Sequence, residues 1–273
     1  MVTGLRVTVL MTNSKHTNSL YSLSIQIHLD GLSFFTQHIH SKDVKDAEVV
    51  RFRENVNPTT LLVEIEKAFK EIEALAQPFF KVTVVYANEL FTLVPQALFD
   101  SEKAADYLKF NTKILSTDYI AHDTIDFYDL INVYVPYSNI NNFFFDTFGS
   151  FEYYHSTTIF AKHLLTEYSN NEEAQVLINL QSSYFEMGVV KNKKLLFINR
   201  FEIRAKEDFI YYLLFTLEQL ELNPENTPVT LTGTIEKDDE FYSIAHTYIR
   251  HLIIKDSPST SFTRSQSLLA TLL

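Results

Sequence analysis

The sequence predicts an α/β fold made of two copies of one βββαβαβ unit, set one after the other along 273 residues. Three observations predict it. Asp30-Gly31 stands between two apolar runs, as a hairpin turn does. An Asn-Pro helix start and a Val-rich run follow it. The same order of elements then returns in the second half of the chain, which is the signature of an internal repeat.

In the first copy, Leu23, Ile25, Ile27 and Leu29 alternate with Ser22, Ser24, Gln26 and His28, the pattern of a half-buried strand. Residues 32–39 form its hairpin partner, and residues 47–53 a third strand. Asn57 suits a helix N-cap and Pro58 the first helical position; Leu61, Leu62, Ile65, Phe69, Ile72 and Leu75 then make one apolar face. Residues 79–87 are almost unbroken apolar residues, as expected of a strand covered on both faces. A helical stretch at 101–110 leads to a last strand at 129–135, stopped by Pro136, and a helix at 139–148 ends at Gly149.

A connecting helix at 155–168 precedes the second copy: strands at 175–180, 183–190 and 194–203, a helix through Phe209, Leu213 and Leu217, a strand at 229–233, a helix at 239–249 and a short strand at 252–254. Ile25 aligns with Val176, and Val82-Thr83-Val84 with Val229-Thr230-Leu231, at nearly constant spacing. On this alignment Asp30 matches Gln181 and Gly31 matches Ser182. A helix between the third and fourth strands requires a right-handed crossover to a parallel neighbour. Three antiparallel strands followed by βα units describe a ribonuclease H-like sheet. Two such lobes, residues 18–150 and 151–255, make an actin-like ATPase fold. Residues 1–17 and 256–273 read as flexible ends, with a short helix at 268–273.

Composition narrows the partners. Thirty-four acidic against 23 basic residues give a net charge of −11, which repels a phosphate backbone and argues against nucleic acid. The absence of cysteine excludes disulfides and thiolate zinc and fits a reducing, cytoplasmic setting. The longest early apolar run, residues 7–11, is too short to span a membrane.

Two stretches carry a closer likeness. Residues 23–34, beginning Leu23-Ser24-Ile25-Gln26, and Asn132-Val133-Tyr134-Val135-Pro136-Tyr137 continuing to Tyr153 resemble an uncharacterised Bacteroidetes domain-of-unknown-function family. The resemblance covers most of residues 18–255. It implies an actin-like ATPase fold, distantly similar to the cytoplasmic actin-like components of pilus assembly and type II secretion, and no assigned activity.

An ATPase of this fold needs two turns whose backbone amides approach phosphates and whose carboxylates hold a hydrated metal. The candidate nucleotide-binding residues are Asp30, Gly31 and Ser33 in the first turn and Thr232, Gly233 and Thr234 at the later strand end. The first turn departs from Asp-x-Gly-Thr/Ser, and the second, Gln181-Ser182-Ser183, has neither carboxylate nor glycine. Hairpin turning and strand ending account for both glycines without a ligand. A ribonuclease H-type nuclease fails for want of a carboxylate in the first strand. His38 and His40 lie two apart with no third ligand near in sequence, so no metal site is assigned. His163 and His246 fall in helical patterns as packing or surface residues. No Gly-x-Ser-x-Gly elbow, Walker loop or His-Glu-x-x-His helix occurs, and no catalytic residue is assigned.

Phe143, Phe144 and Phe145 are consecutive on a helix and cannot share one face, because successive residues turn by about 100°. With Phe148 they are the candidate partner-docking residues, or the surface of a homodimer; a helix sandwiched between the lobes also accounts for them. The expected function is therefore a non-catalytic interaction scaffold, a pseudo-ATPase with an unnamed protein partner and no cofactor. The alternative is a divergent ATP-binding protein or ATPase that takes ATP and magnesium in the interlobe cleft, with Asp30 as the metal carboxylate.

Overall fold

The computed structural model describes residues 5–7, 20–52, 56–168 and 170–255. The boundary between two compact units falls after Thr158. The first unit opens with β1 (Leu5–Val7), β2 (Tyr21–His28), β3 (Gly31–His38) and β4 (Val44–Arg51), followed by α1 (Pro58–Glu71) and β5 (Lys81–Tyr86). An insert comes next, with β6 (Phe91–Pro95), α2 (Ala104–Lys109), β7 (Ala121–Ile125) and β8 (Leu130–Tyr134). α3 (Ser138–Phe148) and β9 (Phe151–His155) complete the unit. Its main sheet has the order β1-β9-β5-β2-β3-β4, with β2, β5 and β9 parallel.

The chain passes along α4 (Ser156–Tyr168) into the second unit: β10 (Gln175–Leu180), β11 (Tyr184–Lys191), β12 (Lys194–Glu202), α5 (Lys206–Gln219), β13 (Val229–Gly233), α6 (Glu240–Tyr248) and β14 (Leu252–Ile254). Its sheet has the order β12-β11-β10-β13-β14. This is the β4-β3-β2-β5-β9 order of the first unit, strand for strand. The repeat is thus present in topology as well as in element order.

Local chemistry explains the element ends. Asn57 Oδ1 accepts the Thr59 and Thr60 amides at 2.9 Å, and the Thr60 hydroxyl accepts the Asn57 amide, closing a capping box worth about 1 kcal/mol. Gly149 ends α3 at φ 76°, where a side chain would be strained. Asn192 and Lys193 both have positive φ, as a tight β11–β12 hairpin requires.

Each unit buries an apolar core on one face of its main sheet. In the first, Leu23, Ile25, Ile27, Phe34 and Val84 pack against Leu61 and Ile65 of α1 and Ile140 and Phe144 of α3. In the second, Val176, Ile178, Leu180 and Leu231 meet Phe209, Leu213 and Leu217 of α5 and Ala245 of α6.

Several sequence expectations change. β2 is not half-buried: Ser24 and Gln26 are 7% and 6% exposed, so its polar stripe marks a second covered face rather than a solvent face. The strand at 129–135 does not join the main sheet. It is the middle strand of a separate three-stranded sheet, β6-β8-β7, with its own small core of Val94, Leu108, Ile131 and Val133. The last main-sheet place belongs to β9, so residues 151–155 lie in the first unit and not in the second lobe. Leu5–Val7, expected within a flexible end, pairs antiparallel with β9. The rest of that end, and 256–273 with its expected helix, lie outside the described residues.

The insert leaves and rejoins the main sheet at a closed neck. Asn88 Nδ2 donates to the Val135 carbonyl at 3.0 Å, its Oδ1 accepts the Leu90 amide at 2.9 Å, and the Val135 amide donates to the Leu90 carbonyl at 3.0 Å.

Candidate functional site

In the first unit the candidate phosphate turn joins β2 to β3. Asp30 is partly exposed, and its carboxylate meets Nδ1 of His28. The carbonyls of Leu29 and Asp30 accept the Val56 and Phe52 amides at 2.9 Å, which ties the turn to the exit of β4. Gly31 has a steric reason of its own, since a Cβ there would collide with the Val50 carbonyl. Ser33 is buried on β3, directly opposite Gln26.

In the second unit the equivalent turn is tighter than the sequence alignment implied. Gln181 donates its amide to the Tyr184 carbonyl at 2.8 Å, leaving Ser182 and Ser183 as the central residues. Strand register settles the equivalence: Ile25 lies beside Val84 and Ile178 beside Leu231, so Ile25 corresponds to Ile178 rather than Val176. The alignment with Gln181 and Ser182 is therefore a two-residue slip. It preserved the inward face because strand side chains repeat every second residue. Asp30 corresponds to Ser183, Gly31 to Tyr184 and Ser33 to Glu186.

Thr232, Gly233 and Thr234 come together at the end of β13. Gly233 has φ 93°, and a Cβ there would strike the Leu180 carbonyl. Thr234 donates to that carbonyl from its amide at 2.7 Å and its hydroxyl at 3.2 Å. Thr232 lies opposite Asn179. Asp30, Gly31 and Ser33 gather likewise at the hairpin end of the first unit.

Sequence reasoning missed a polar row in the second unit. Asn179 Nδ2 donates to Glu186 Oε2 at 3.0 Å, Glu186 stands opposite Arg200 in the strand register, and the Arg200 guanidinium lies 3.5 Å from the centre of the Tyr184 ring. Glu186 is 1% exposed. A lone Asn and a lone Glu within apolar strands were the available signal.

A second buried cluster, also missed, surrounds Asp123 in the insert. Tyr134 Oη donates to Asp123 Oδ1 at 3.0 Å; the His155 amide and the Thr158 hydroxyl donate to Oδ2 at 3.0 and 2.7 Å. Burial pushes the Asp123 carboxyl up to about 7, against the pull of its three donors. It also raises the Tyr134 phenol, with the Asp123 charge adding to the effect.

The remaining candidates separate. Among the described residues no group of three or more His, Asp and Glu side chains is placed to hold a metal ion. His38 and His40 sit 5.9 Å apart between ring centres at a strand end, with Ser41 hydrogen-bonded to His38. Burial lowers the pKa of His163, helped by the Lys255 charge, and His246 packs on Tyr242. The four-phenylalanine docking patch does not exist as such. Phe144 and Phe148 are buried in the first core, while Phe143 is half-buried and packs edge-on against Phe69 of α1 at 5.3 Å. Phe145 also leans on that core. What remains open is a groove of about 760 Å³ lined by Phe69, Leu75, Pro78, Phe143 and Phe148, with Lys70 at its edge.

The profile of the family described as "Protein of unknown function (DUF3822)" matches residues 11–252. The chain belongs to this family. A Bacteroides thetaiotaomicron protein described as having an actin-like ATPase fold and unknown function is similar in structure, with TM-score 0.80 and 20% identity over 92% of this chain and 96% of that one. The PilM–PilN type IV pilus biogenesis complex supplies a second likeness, with TM-score 0.59 and 10% identity over 92% of this chain and 97% of that one. No curated protein matches the sequence. The fold of this family member is therefore actin-like. Among the described residues no helix is long and apolar enough to cross a membrane.

Proposed function

We propose that this protein is a non-catalytic actin-like-fold member that serves as an interaction scaffold. The observation that carries this reading is the chemistry of the two hairpin turns. The carboxylate of the first is engaged by His28 and its carbonyls by the Phe52 and Val56 amides. The second, Gln181-Ser182-Ser183, offers neither a carboxylate for a hydrated metal nor a glycine for close phosphate approach. Gly31 and Gly233, the glycines that suggested a nucleotide, are each required by a neighbouring carbonyl. The solved PilM–PilN complex supports the reading, because there a protein of this frame stands in a complex with another protein.

The docking surface in this reading is the α1–α3 groove, whose Phe69, Leu75 and Phe143 suit an apolar peptide segment. The cysteine-free composition supports a cytoplasmic setting. Calorimetry with Mg-ATP on the whole chain tests the proposal, with Asp30→Ala as control. The expected result is no binding below millimolar concentration in either protein. Sub-millimolar binding that Asp30→Ala abolishes would replace the scaffold with a nucleotide-dependent protein.

A further inference from the structure

The Asp123 cluster does something that neither the turns nor the groove does: it joins three separately folded pieces of the first unit. Asp123 lies on β7, Tyr134 on β8, His155 ends β9 and Thr158 is in the first turn of α4. All four side chains are fully buried. Asn132, directly opposite Asp123 in the β7–β8 ladder, donates through Nδ2 to the Thr158 hydroxyl at 2.9 Å, while its Oδ1 is buried with no partner. A buried acceptor without a donor is costly, and this one belongs to the residue paired with Asp123 in the ladder.

We propose that Asp123 is a proton-operated latch: protonated, it holds the three-stranded insert on β9 and the first turn of α4, and ionised, it loosens that junction. The neutral acid buries no net charge in the cluster. Ionised, the group is a fully buried anion held by hydrogen-bond donors. The groups facing it are Tyr134 from β8, Tyr153 and His155 from β9 and Thr158 from α4. None is a lysine or arginine. The His155 ring is turned to other groups, with Nδ1 3.2 Å from the Thr157 amide and Nε2 3.2 Å from the Asn88 carbonyl.

The sign follows from linkage. A carboxyl raised from 3.8 to about 7 binds its proton more tightly when the junction is closed than when it is open. Its favourable contribution is complete below about pH 4, falls as pH rises, and is gone above about pH 7. Between pH 6 and pH 8 the opening equilibrium should increase about tenfold.

Hydrogen exchange on the whole chain at pH 6 and pH 8, normalised to each amide's intrinsic rate, tests this. Amides in residues 121–134 and 155–158 should lose about tenfold protection in the wild type, while the second unit's strands stay level. Asp123→Asn, which cannot ionise, should remove the difference. Equal pH dependence in wild type and Asp123→Asn, or none in the wild type, overturns the latch. Carbon-13 titration of the wild-type aspartate carboxyls decides independently of that variant's folding: one should titrate near 7, and Thr158→Val, which removes a donor to the anion, should move that midpoint upward. Midpoints all below 5 overturn the proposal.

Discussion

At equivalent positions of their sheets the two units carry different chemistry on one face and the same chemistry on the other. Leu23, Ile25 and Ile27 in the first unit match Val176, Ile178 and Leu180 in the second, and both sets pack against two helices. On the opposite face Ser24, Gln26, Ser33 and Val49 are replaced by Leu177, Asn179, Glu186 and Arg200. The helix-covered face is held to one solution by the need to bury apolar area. The other face answers to local demands, so it carries uncharged residues in one half and the opposed Glu186 and Arg200 in the other.

The largest expected effects test whether the helix-covered faces are equivalent. Phe144→Ala and Phe209→Ala each empty a fully buried aromatic site and should each cost about 3–5 kcal/mol, measured by denaturant unfolding. A loss well under 1 kcal/mol at Phe144 would return that residue to the docking surface. Smaller effects separate the units. Gly233→Ala should cost about 1–3 kcal/mol, because it combines φ 93° with a collision against Leu180. Tyr86 holds the same topological place in the first unit without positive φ, so the glycine answers a local demand and not one common to the fold.

The smallest effects concern the helix starts. Asn57→Ala should cost about 1 kcal/mol by opening the α1 capping box. At the matching position of α5 stands Ala205, where only the Asp208 half of a box exists: its carboxylate accepts the Ala205 amide at 3.2 Å. Ala205→Ser should therefore stabilise the second unit by about 0.5–1 kcal/mol. Thermal unfolding of the two variants should show opposite signs; like signs would break the equivalence of the two helices.

Much of this was legible in the sequence because it rested on short-range rules. Asn57-Pro58, Asp30-Gly31, Gly149 and the 3.6-residue stripe of Phe209, Leu213 and Leu217 each declare their element within a few residues. What the sequence did not reveal rested on pairing at a distance. β6 and β7 are five-residue strands whose place depends on β8, and β9 follows α3 so closely that residues 151–155 read as the opening of the second lobe. The register slip arose because a two-residue shift leaves every side chain on its own face. Of the candidate site, the Asp30-Gly31 hairpin was legible, while the matching turn of the second unit was aligned two residues off. Asp123 was not legible, since its partners lie up to 35 residues away along the chain.

The Asn88 neck has an evolutionary consequence. Because the chain leaves and returns through a few adjoining hydrogen bonds, the span between them is a cassette whose ends are already spliced. The second unit, which runs from β13 to α6 with no such cassette, shows the frame closing without it. Removing the cassette would leave the backbone continuous but His155 and Thr158 stripped of the acid they face, and grafting it would bury Asp123 in a frame without those donors. A successful transplant must supply donors for Asp123 or replace it with an apolar residue.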